Sequence, residues 1–313
     1  MVSKIKFSDD DEKHLDPFRS SSKKLRTEVV SDEPEKQIPF IKSLPLELKK
    51  IVVDYLPFEP GMSAIYAETF NSYIFPHSDL DVSTWKTEHI SKLIEWMGEN
   101  PNVKSIQGTF SYTQLISVLW KCRTVEKITL VNCCRSDHSR YIKICNLFPV
   151  TVKELTLSLC SIDTLSLAQY LSKSVQLESL TITYTEFDGN CLKSVSRNVI
   201  KLNLPHAKQI MPDTLSENLQ EFRQLQCLDI SNTLANTTTL NHLPITLTFL
   251  DISGCTMTDC TALEKLKNLQ FLKALESSLT PEQIENLQKK MPHLHIEYSQ
   301  LPATQPVDWG DLP

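Results

Sequence analysis

Glycine is scarce in this chain, with six among 313 residues. Phosphate-cradling loops need several glycines at fixed spacing so that backbone N–H groups can approach the ligand. No such cluster exists here, which argues against the common nucleotide-binding loops. The nine cysteines contain no C-x-x-C. Cys133 and Cys134 are adjacent and Cys255 and Cys260 lie five apart, whereas zinc sites want paired ligands at closer, regular spacing. Neither a metal nor any other cofactor is therefore expected. No apolar run approaches the roughly 18–20 residues that span a bilayer. The opening MVSKIKFSDDDEKHLD has none of the apolar core of a secretory signal. Basic charge is not in excess either. A formal net charge of −6 disfavours nucleic acid or an anionic membrane as partner, because both are held by Lys and Arg. The expectation is a protein of the cytoplasm, the nucleus or both, not secreted, with its thiols reduced.

What the chain has in quantity is spaced leucine. LQCLDISNT and LTFLDISGC share one pattern, in which Leu225, Leu228, Ile230 and Thr233 are matched by Leu247, Leu250, Ile252 and Cys255. The first, fourth and sixth positions turn inward along a short strand, and the residues between them face solvent. Further copies start at Val103, Val125, Val152, Leu177, Val199, Leu269 and Met291, with steps of 22, 27, 25, 22, 26, 22, 22 and 22 residues. One such coil cannot bury its apolar face alone, so the copies must stack. Between them, Tyr112–Cys122, Thr164–Ser174, Asp213–Gln224, Thr261–Gln270 and Leu279–Pro292 carry apolar residues at helical spacing. Leu80 and Val82 alternate as a divergent first strand, and Ile90, Leu93, Ile94 and Met97 form the face of a helix behind it. This pattern resembles the leucine-rich repeat family. The resemblance implies an α/β fold: a right-handed solenoid with a curved parallel sheet on its concave side and helices on its convex side, over residues 76–298.

Residues 1–37 are charged and poor in apolar side chains, the composition of a disordered arm. Within 38–75, Ser43 and Pro45 suit a helix start, and Glu47 falls in the first turn. Leu48, Ile51, Val52 and Tyr55 follow at helical spacing, and Pro57 ends the run. Leu44, Pro45, Glu47, Leu48, Val52, Tyr55, Leu56 and Pro57 together resemble the opening of an F-box. That resemblance implies docking on a Skp-type adaptor of a cullin ubiquitin ligase. A plainer alternative has residues 38–75 cap the first open coil, as every solenoid requires, leaving a scaffold or regulatory adaptor outside any ligase. Residues 299–313 read as a flexible acidic tail, in which Trp309 lies between Asp308 and Asp311.

The third, fifth and seventh residues of each copy should line the concave face. Lys201, Asn203, Asp229, Phe249, Asp251, Phe271 and Lys273, with Tyr184 where its strand begins to turn, are the candidate contacts to an unknown target protein. Phe249 and Phe271 stand at equivalent positions on neighbouring strands, an arrangement suited to a protein-binding hot spot. Asp229 and Asp251 are also equivalent, but Asp within L-D-I-S is ordinary repeat surface, and no enzyme is expected. Cys133, Cys160 and Cys255 fall at the ninth position, where Asn, Cys or Thr satisfies backbone groups in the turn.

Overall fold

The structure, a computed structural model, describes residues 79–84, 86–96, 103–133 and 143–300. The expected arm 1–37, the F-box-like segment 38–75 with its eight motif residues, and the chain beyond Gln300 lie outside the described residues.

The repeat period becomes a ladder of parallel strands. These are β1 (Asp79–Asp81), β2 (Ser105–Gly108), β3 (Lys127–Val131), β4 (Glu154–Ser158), β5 (Ser179–Thr183), β6 (Lys201–Asn203), β7 (Cys227–Asp229), β8 (Phe249–Asp251), β9 (Phe271–Ser277) and β10 (His295–Gln300). They form one sheet in strict sequence order. Register follows the repeat: Ile106, Ile128, Leu155, Leu180, Leu202, Leu228, Leu250 and Leu272 are successive partners. None is more than 1% exposed, and burying a side chain of this size is worth about 1.5–3 kcal/mol. Leu80 enters the same row from β1, so the divergent first strand is real. At the other end β10 continues to Gln300, two residues past the expected limit of the repeats.

Helices fill most returns: α1 (Thr87–Trp96), α2 (Tyr112–Lys121), α3 (Thr164–Leu171), α4 (Gly189–Ser194), α5 (Pro212–Leu219), α6 (Thr237–Leu240) and α7 (Pro281–Lys290). The first N–H groups of a helix have no partner within it, and side-chain oxygens just ahead of the helix supply one. Ser111 with Gln114 and Thr280 with Gln283 form reciprocal capping boxes, and Asp163 accepts from the Ser166 N–H. The α-helix expected over Thr261–Gln270 is instead a 3₁₀ turn, Thr261–Lys265. The cause is periodicity. Cys260, Leu263, Leu266 and Leu269 are all buried, and a spacing of three matches the 3₁₀ turn better than the α-helix.

Strands β3 to β9 share one bend. The eighth position has positive φ in seven consecutive coils: Asn132 (54°), Leu159 (53°), Tyr184 (50°), His206 (63°), Asn232 (56°), Gly254 (67°) and Glu276 (49°). The bend is kept because it lets the amide still reach the next coil: the Asn132, Leu159, His206 and Asn232 N–H groups donate to Ser158, Thr183, Ser231 and Ser253 carbonyls at 2.7–2.9 Å. At Gly254 a Cβ would overlap the Asn232 carboxamide. For leucine the left-handed region costs about 1–2 kcal/mol, and asparagine tolerates it better. Leu159→Asn is therefore expected to stabilise the chain by about 0.5–1 kcal/mol, read as a higher thermal midpoint; a lower midpoint would show that Leu159's packing outweighs its strain.

The ninth position then turns inward, and its side chain satisfies the bend. The Cys255 thiol donates to Ile230 O at 3.1 Å, Cys160 to Ser158 O at 3.3 Å, and Thr233 Oγ1 to Ile230 O at 2.7 Å.

Candidate protein-binding surface

With the fourth and sixth positions buried, the third and fifth residues of every coil form two outward rows across the sheet. In the third-position row Lys201, Cys227, Phe249 and Phe271 are consecutive partners from β6 to β9. His295 of β10 continues it because Ile296, not the Leu294 expected from a copy starting at Met291, pairs with Leu272, two residues later than the repeat spacing places it. Phe249 is half-buried and Phe271 is 49% exposed. His295, which the repeat pattern alone does not single out, packs edge-on against Phe271 at 5.6 Å between ring centres. Three adjacent strands thus present Phe, Phe and His side by side. Aromatic side chains bring large contact area with little rotamer entropy to lose, which is why they anchor interfaces.

In the fifth-position row Asn203, Asp229, Asp251 and Lys273 are partners on β6 to β9. Their chemistry is more local than the sequence suggests. Asp229 Oδ1 accepts the Ser231 N–H and Asp251 Oδ1 the Ser253 N–H, both at 2.9 Å. The two carboxylates brace the ends of their own strands, and Asp251 is only 8% exposed. It offers a partner almost no surface. Asn203 is tied to Thr181 Oγ1 at 3.2 Å. Lys201 is exposed and Lys273 half-buried.

Tyr184 does not join this group. It sits in the bend after β5, 59% exposed. Its ring stacks on His206 at 4.3 Å and 21°, and its hydroxyl lies 2.9 Å from His206 Nε2. His206 occupies the same bend one coil on, so the repeat register is the signal that identifies the partner. Both side chains project from left-handed residues at the strand ends, on a different part of the face from Phe249 and Phe271.

The first half of the sheet is hydroxyl-rich and self-neutralised. Thr129, Thr156 and Thr181 are partners, flanked by a Lys127–Glu154 ion pair at 2.9 Å. One position earlier, Glu126 bridges Lys104 at 3.1 Å and Lys153 at 2.9 Å. The bonds from Lys153 and Lys104 hold the Glu126 carboxyl below its ordinary range, and Glu126 raises Lys153 in turn. All three are well exposed, so solvent screens the ladder and its worth is small.

The buried thiols behave as core side chains. Those of Cys122 and Cys191 are pushed up to about 12 by burial, which keeps them protonated and inert. Among the described residues no cluster of three His, Cys, Asp or Glu side chains is placed to hold a metal ion, and no helix is long and apolar enough to cross a membrane.

No family model and no curated protein matches the chain. Solved structures do. A chain from the Rad7 and Elc1 complex in yeast superposes over 94% of this chain and 97% of its own, with a TM-score of 0.51 at 14% identity. The fold is a leucine-rich repeat solenoid. Other solved structures similar to this solenoid include the internalin InlF of Listeria monocytogenes, which matches 77% of this chain over 89% of its own at TM-score 0.42 and 14% identity. The TLR13–ssRNA13 complex matches 69% of this chain over 38% of its own, at TM-score 0.42 and 14% identity. At such identity the likeness is one of fold.

Proposed function

We propose that the chain is a substrate-recognition subunit of a Skp–cullin ubiquitin ligase. In this reading the sheet face holds a target protein, and the segment Leu44–Pro57 tethers the solenoid to the adaptor. The observation that carries it is the order of parts: an F-box-like motif directly followed by repeats whose outer rows expose an aromatic strip. The similarity over nearly the whole chain to a structure solved as a Rad7 and Elc1 complex supports a solenoid that works in an assembly. No chemistry of its own is required. Holding a target lysine near a charged ubiquitin carrier raises its effective concentration, and the transfer is performed by other subunits.

The test is a pull-down of the full chain with a purified Skp-type adaptor. Binding is expected, and Leu44→Ala/Pro45→Ala should abolish it while leaving the thermal midpoint of the repeats in place. If the parent chain does not bind, the ligase role fails and the capping scaffold stands. A double variant that lowers the midpoint would also favour the cap.

A further inference from the structure

The ionic ladder at the second repeat position stops half-way along the sheet. Lys104, Glu126, Lys153 and Glu178 occupy it in the early coils, and Gln226, Thr248 and Gln270 replace them in the later ones. Where the charges stop, a groove of about 630 Å³ opens along the edge of the sheet at which strands β6 to β10 begin. It lies apart from the aromatic strip, on the loops that lead into the strands.

The groove offers donors and no acid. Arg223 and Lys267, from the loops before β7 and β9, stand in its lining with His293, and none of the lining residues is Asp or Glu. Among the described residues neither cation makes an ion pair or side-chain hydrogen bond, although other lysines on this protein are paired. The carbonyls beneath are already used: Gln226 O accepts from the Thr248 and Phe249 N–H groups, and Thr248 O from those of Gln270 and Phe271. The side-chain amides of Gln224, Gln226 and Gln270 line the same groove with no protein partner among the described residues. Amides both donate and accept, the combination that a peptide main chain requires.

We propose that this groove binds an acidic, extended segment of a partner protein. Four strand spacings, from β6 to β10, give it a length of about 19 Å, enough for about six extended residues. Arg223 and Lys267 come from coils two apart, a separation of about 10 Å at the usual strand spacing. In a polyproline II peptide, side chains three residues apart lie on one side about 9 Å from each other. A segment with carboxylates at i and i+3 therefore matches the two cations. Nucleic acid fits poorly. Two cations are few against the roughly 6–10 phosphate contacts of a typical complex, and no lining residue is a Phe, Tyr or Trp ring of the kind on which bases stack.

The experiment is a fluorescence-anisotropy titration of the full chain with a labelled proline-rich peptide carrying Glu at i and i+3. Binding is expected, with none for the same peptide carrying Gln. Arg223→Glu/Lys267→Glu should weaken it by about tenfold or more, and Arg223→Gln/Lys267→Gln by less, while Phe249→Ala/Phe271→Ala leaves it unchanged. Thermal midpoints equal to the parent's will show that the charge variants are folded. Unchanged affinity in the charge-reversed chain would overturn the proposal, as would tighter binding of an RNA oligonucleotide of equal charge. A peptide that binds only after residues 301–313 are removed would overturn it too, and would make the chain's own Asp308 and Asp311 segment the occupant.

Discussion

Leu250→Ala is expected to lower the stability of the solenoid by about 3 kcal/mol, within the roughly 2–5 kcal/mol typical of a leucine deleted from a core. Leu250 has no exposed surface and lies in register between Leu228 and Leu272. Its removal leaves a void bounded on both sides by residues that are themselves locked in the stack. In a solenoid each coil is held only by its neighbours, so weakening one rung weakens two interfaces. Chemical denaturation measures the effect. Leu165→Ala is the control, since Leu165 on α3 is 64% exposed and its loss should cost under about 0.5 kcal/mol. Equal shifts for the two variants would mean that the inward row does not carry the fold. Against a typical total of about 5–15 kcal/mol, the expected loss is large enough to change how much folded protein a cell retains.

The inward rows are legible in the sequence because burial imposes them directly: a residue at the fourth or sixth position has no alternative to the core. Elsewhere the same letters permit more than one outcome. Leu263, Leu266 and Leu269 satisfy a helical template at i+3, and only the burial of Cys260 on the same line shows that the true period is three. Asp229 and Asp251 read as surface because fifth positions face outward. Each is followed two residues on by a serine, and the carboxylate folds back onto that serine's amide, a local preference of Asp that competes with display to a partner. The groove has no such signature. It depends on side chains that lead into five successive strands, β6 to β10, from segments that carry no periodic pattern. Its one trace is a change along the second-position column, from alternating charges to the uncharged Gln226, Thr248 and Gln270. The positive-φ bend is equally silent in composition, since Asn, Leu, Tyr, His, Gly and Glu all occupy it.

Replacing Phe249 and Phe271 together by alanine is expected to weaken target binding by about 2–4 kcal/mol, roughly 30-fold to 1,000-fold. The pair is the only place on the described sheet rows where two phenylalanines are register partners, and His295 extends it to a third strand. The hydroxyls and paired charges on the first half of the sheet remain hydrated, so their truncation should change affinity by less than about 1 kcal/mol. The measurement needs a partner that the surface itself selects. A photo-reactive benzophenone side chain placed at position 271 of the full chain should crosslink the target in cells, and the same group at position 165, on the helical side, should not. Titration of the crosslinked protein against the double-alanine variant then gives the loss directly. If position 165 captures the same protein equally well, or if the double variant binds as tightly as the parent, the aromatic strip is not the anchor. An exposed phenylalanine held on a rigid strand has its entropy cost met by the fold before any partner arrives, and that pre-organisation is why the effect should concentrate in these two residues rather than spread across the face.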